Sequence, residues 1–112
     1  MKKIIFTLLI LVSICSFAQE KKSKNTKTTT EINGNCEHCK QRIEKTALSV
    51  AGVKSAVWDA ESKQLTLILN EQKTSVAAVK KAIAKVGHDS DIEKTTTTVY
   101  NDLPRCCQYE RK

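Results

Sequence analysis

Gln64-Leu65-Thr66-Leu67-Ile68-Leu69-Asn70 carries leucine at every second position, and the residues after it switch to a helical period. Leu65, Leu67 and Leu69 therefore share one face of a strand. Thr74 or Ser75 can cap the helix that follows, in which Val76, Val79, Ile83 and Val86 step by three, four and three. Gly87 ends it. Upstream, Val53 to Asp59 alternates, with Val53, Ser55 and Val57 on one side. Glu61-Ser62-Lys63 is a polar turn, so the two runs predict a hairpin. From Glu37 to Val50 the period is helical again: Ile43, Ala47 and Val50 share a face, and Ala51-Gly52 closes it. Thr28 to Ile32 is β-prone, and a last strand is expected around Asp91 to Thr95. The order predicts an α+β domain, βαββαβ, with one antiparallel sheet and two helices on one face.

The chain has 112 residues, enough for one small domain and too few for a large catalytic fold such as a barrel of about 250 residues. Aromatic residues are 4% of the chain, which predicts an aliphatic core. Met1-Lys2-Lys3, the apolar run Ile4 to Ile14 and Ser16-Phe17-Ala18 read as a secretory signal peptide, residues 1–18, cut between Ala18 and Gln19. The apolar run is too short, at ~1.5 Å per residue, to span ~30 Å of hydrocarbon as an anchor. A lipid-modified Cys15 is the other alternative, against which stands the bulky Ile14 before it. Cleavage removes Lys2 and Lys3 and no acid, so 19 Lys and Arg become 17 against 12 Asp and Glu. Residues 19–27 hold Lys21, Lys22, Lys24 and Lys27 against Glu20 and read as a disordered basic leader. No aromatic stacking platform accompanies these charges, which argues against nucleic acid as a partner. Residues 28–95 form the expected domain and 96–112 a tail.

Asn33-Gly34-Asn35-Cys36-Glu37-His38-Cys39 puts two thiols three residues apart where a loop becomes a helix. The helix N-terminus offers free N–H groups and partial positive charge, which favour thiolate. Soft thiolates select soft ions such as Cu(I), Zn(II) or Hg(II), and two sulfurs alone leave zinc short of four ligands. A structural disulfide or a redox site are the competing readings in an oxidising compartment. Cys36-Glu37-His38-Cys39 fits a thioredoxin-like CxHC pattern, but the surrounding chain order does not, and Pro104 is the only proline.

With Cys36-x-x-Cys39, a helix ending in Gly52-Val53, the alternating hairpin and Gly87-His88 after the second helix, the sequence resembles the heavy-metal-associated domain family over about residues 28–93. That family comprises small ferredoxin-like copper chaperones and periplasmic mercury-binding proteins. The resemblance implies a ferredoxin-like fold, Cys36 and Cys39 as ligands of one soft ion, and transfer to a partner by ligand exchange. Two positions depart from the family. Gly34 stands where the family has a packing Met, and His88 stands where bacterial copper chaperones often have Tyr. In this fold the late loop lies beside the metal loop, so His88 is a candidate third ligand or hydrogen-bond donor to a thiolate, against an exposed loop histidine. His38 is expected to point to solvent.

Cys106-Cys107 admits three readings: shared ligands with Cys36 and Cys39 in a four-sulfur set, disulfides with them, or an independent transfer arm. Trp58 reads as packing or a partly exposed ring, and Lys80, Lys81 and Lys85 as a solvated helix face. No Ser-His-Asp set or phosphate loop can be assembled, so no enzyme is expected. The expectation is a periplasmic protein that carries or buffers Cu(I), with Hg(II) scavenging or thiol–disulfide chemistry as alternatives. A metal-transporting ATPase or another metal acceptor would be its partner, with no stable membrane insertion once the signal is removed.

Overall fold

The computed structural model describes residues 23–112. The expected signal peptide, its cleavage site, Cys15 and the start of the leader lie outside the described residues. Strand β1 is Thr26–Glu31, helix α1 Glu37–Ser49, β2 Val53–Trp58, β3 Gln64–Leu69 and α2 Val76–Lys85. Short helix α3, Thr97–Asn101, and a single 3-10 turn, Arg105–Cys107, follow. The first strand starts two residues earlier than expected, inside the stretch read as leader. The sheet is antiparallel in the order β1-β3-β2, with β3 central. Leu65, Leu67 and Leu69 are buried, and Ile43 and Ala47 of α1 with Val79 and Ile83 of α2 cover them. This is the ferredoxin-like α+β sandwich, both helices lying on one face. Ser75 caps α2 by accepting from the Ala78 N–H at 3.2 Å.

Four expectations are corrected. The strand expected at Asp91–Thr95 does not form, and the described sheet has three strands. Its backbone is diverted: Ser90 N–H donates to Glu93 O at 2.8 Å, and Thr95 N–H donates to the Asp89 carboxylate at 2.8 Å. The inward residues of β2 are Ala56 and Trp58, while Val57 is 55% exposed. A register shift between Val53 and Ser55 causes this: one extra residue reverses the phase of everything after it. The core is also not wholly aliphatic, because Trp58 and Tyr109 are buried in it. Lys80 is buried along its stem and reaches Asp91 at 2.7 Å rather than lying free in solvent. Among the described residues no helix is long and apolar enough to cross a membrane.

Candidate metal centre

Cys36 is the N-cap of α1, with extended backbone, and Cys39 follows in the first turn. Their sulfurs lie 3.4 Å apart. The Asn35 N–H donates to Cys39 Sγ at 3.3 Å, wrapping the loop around the inner thiol. The loop rests on Trp58, whose Nε1 donates to Ile32 O at 3.0 Å. A Cβ at Gly34 would sit 3.1 Å from the indole edge and 3.0 Å from Cys39 Cβ. The indole thus fills the space beneath the loop, and glycine is what fits above it.

The tail returns to this loop. Cys107 Sγ lies 3.4 Å from Cys36 Sγ, and Cys106 Sγ is 3.9 Å from Cys107 Sγ. The sulfurs of Cys36, Cys106 and Cys107 all fall within 4.8 Å of one another. Cys39 and Cys107 are buried, Cys36 is half-buried and Cys106 is exposed, and all four are free thiols. Four side chains fix the tail. Leu103 packs on Gly87, whose φ of 115° and 2.8 Å Cβ approach exclude a side chain. Tyr109 stacks on His88 at 5.6 Å, donates to Gly87 O at 2.8 Å and accepts from Asp89 N–H at 2.9 Å. Tyr100 donates through its hydroxyl to Tyr109 O. Arg111 pairs with the buried Asp89 carboxylate at 2.8 Å and donates to Thr95 O at 2.7 Å.

The thiols differ in acidity. Burial raises the Cys36 pKa, but hydrogen bonds from the Cys39 N–H and from the Cys106, Cys107 and Cys39 thiols outweigh it, taking it down to about 6. Burial pushes Cys39 up to about 12. Cys106 is raised to about 11, mainly because it donates to Cys36 and so holds its own proton. Iodoacetamide at pH 7 is therefore expected to modify Cys36 first, because the thiolate is the reactive form. Peptide mapping of a quenched time course reads the order, and first labelling at exposed Cys106 would contradict it.

His88 does not join the sulfurs and is not an exposed loop residue. It is fully buried; its Nδ1 donates to Asn33 O at 2.9 Å, and its Nε2 accepts from Arg42 at 3.4 Å. With both ring nitrogens engaged, it braces the metal loop from below. His38 is exposed. Burial, aided by the Arg42 charge, lowers the His88 pKa to about 4 against 6.5 for the free ring. Between those values the unfolded chain holds a proton that the folded chain does not. Stability is thus complete above about pH 6.5 and is expected to fall by up to about 3 kcal/mol as pH drops to 4. Denaturant unfolding at pH 7 and pH 4 measures this, and an unchanged profile in His88→Gln would assign the loss to other groups.

Sequence reasoning passed over Glu44, which accepts from Trp58 N–H at 2.8 Å and pairs with Lys40 at 2.6 Å, tying α1 to the end of β2. It also passed over the Asp89, Tyr109 and Arg111 clamp, which has no periodic signature.

The model of the heavy-metal-associated domain matches residues 32–89. The chain belongs to the heavy-metal-associated domain family. The copper chaperone CopZ of Staphylococcus haemolyticus is 33% identical over 54 residues, 48% of this chain and 79% of that protein. Among solved structures, the N-terminal domain of a potential copper-translocating P-type ATPase from Bacillus subtilis, in its Cu(I)-loaded state, is 30% identical. It superposes with a TM-score of 0.55, covering 58% of this chain and 82% of that domain. Oxidised MerP from Ralstonia metallidurans is 26% identical with a TM-score of 0.51, covering 59% of this chain and 96% of MerP. In this heavy-metal-associated domain, matching ends at His88-Asp89, so the cysteine-bearing tail lies beyond the matched residues.

Proposed function

We propose that this heavy-metal-associated domain protein is exported and carries Cu(I), held by Cys36 and Cys39 and passed on by thiolate exchange. The observation that carries this reading is the pair of sulfurs 3.4 Å apart at the start of α1, where neighbouring hydrogen bonds bring the Cys36 pKa down to about 6. Soft thiolates in a low-coordinate pair suit Cu(I). In transfer, an acceptor thiolate forms a bond to the ion, and the bond to Cys36 or Cys39 then breaks; no electron moves. The copper-named relatives support Cu(I) as cargo, and the ATPase domain among them supports a metal-transporting ATPase as acceptor. The signal-like residues 1–18 support a periplasmic location. The likeness to MerP favours one second reading, Hg(II) scavenging through the same thiols.

Native mass spectrometry of the anaerobically reduced protein, offered Cu(I), Zn(II) and Hg(II) in competition, tests the reading. One Cu(I) retained, and surrendered to a thiol-bearing acceptor domain, is the expected result. Preferential Hg(II) uptake without copper transfer would move the reading to scavenging, and no uptake at micromolar metal would end it.

A further inference from the structure

We propose that the C-terminal tail is an internal cap on the metal centre, with Cys106 and Cys107 standing where an acceptor's thiolates would otherwise approach. This rests on the reading of Cys36 and Cys39 as the exchange site. Cys36 Sγ is as close to Cys107 Sγ as to Cys39 Sγ, 3.4 Å in each case, so a tail sulfur already stands against the outer thiol of the pair. Cys106 completes a triangle with Cys36 and Cys107.

The cap is built into the fold rather than trailing from it. Leu103, Cys107 and Tyr109 are buried, and the Tyr109 hydroxyl bridges the backbones of Gly87 and Asp89. Arg111 closes on Asp89, which is 2% exposed, and on Thr95 O. These contacts grip the loop that also holds the metal loop, through Asp89 O to Asn33 N–H and His88 Nδ1–H to Asn33 O, both at 2.9 Å. Tail and metal loop are thereby registered on one support.

A two-sulfur ion is handed over through attack by an external thiolate. Here an internal thiolate holds that position at high effective concentration, so an acceptor must first displace it. Among the described cysteines only Cys106 is exposed, which makes it the port. An acceptor thiolate bonds to the ion as the bond to Cys106 breaks, and Cys106 takes a proton from solvent. The tail then trades fast delivery for retention.

The test loads the reduced protein with one Cu(I) and measures its affinity for the ion and its rate of release to bathocuproine disulfonate. Cys106→Ser/Cys107→Ser is expected to weaken affinity and speed release by about tenfold or more. Arg111→Gln keeps every sulfur but loosens the clamp, and it should speed release in the same direction by a smaller factor. X-ray absorption at the copper edge of the unaltered protein should count more than two sulfurs and needs no variant to fold. Two sulfurs, with release unchanged in both variants, would overturn the cap while leaving the carrier reading intact. Failure of the unaltered protein to take up Cu(I) would overturn both.

Discussion

Cys36→Ser is expected to lower Cu(I) affinity by more than about a hundredfold, beyond the 10–100-fold typical of losing a supporting group around a metal. Cys36 is the hub of the sulfur set: among the described cysteines it lies 3.4 Å from both Cys39 and Cys107. It is also the thiol whose pKa falls to about 6, whereas Cys39 and Cys106 are held up near 12 and 11. Without it Cys39, whose thiol burial keeps protonated, must release its proton to bind. The fold should survive, because the Cys36 side chain is half-buried and makes no side-chain cap bond to α1. Cys39→Ser is the instructive contrast. Its sulfur is fully buried in the core, so that variant should lose stability as well as metal. In the unaltered protein, affinity should decline as pH falls through about 6, where Cys36 takes up its proton. Chelator competition across pH 5 to 8, with circular dichroism of each variant, checks all of this. A Cys36→Ser protein that binds as tightly as its parent would show that Cys39, Cys106 and Cys107 suffice.

What was legible in the sequence follows from range of interaction. Leu65, Leu67 and Leu69, and the Val79 to Ile83 stripe, announce themselves because period and burial are local properties of strands and helices. The CxxC loop was legible as chemistry for the same reason: three residues and a helix start set it. The phase of β2 was not, because one inserted residue near Lys54 moves Trp58 inward and Val57 outward without altering the composition of the run. The missing fourth strand was hidden in side-chain partners rather than in any period: Lys80 takes Asp91, and the Asp89 carboxylate takes the Thr95 N–H. Cys106 and Cys107 stood out as reactive, yet their place depends on Tyr109 reaching Gly87 and Arg111 reaching Asp89, pairings that no period encodes. Glycine at position 34, by contrast, becomes intelligible only once Trp58 is seen beneath it.

That exchange of bulk between Gly34 and Trp58 yields the largest stability effect. Trp58→Ala should cost about 3–5 kcal/mol, the usual range for deleting a buried aromatic side chain. Trp58 is 1% exposed, and its loss also leaves the buried Ile32 carbonyl without the indole N–H. The cavity would lie directly under the loop that presents Cys36, so Cu(I) affinity should fall along with the unfolding midpoint. Gly34→Met alone should also destabilise, by about 1–3 kcal/mol, because its Cβ already crowds Cys39 and the indole at 3.0 and 3.1 Å. Combined, the two changes should not add. A methionine at position 34 can enter the space the indole vacates, so the double variant should be more stable than Trp58→Ala by itself. Urea unfolding of the four proteins closes the cycle, and the expected coupling has the sign of mutual rescue. Strict additivity would mean that Trp58 supports the sheet alone and that Gly34 is glycine for another reason. Rescue would mean that residues 34 and 58 fill one pocket from opposite sides.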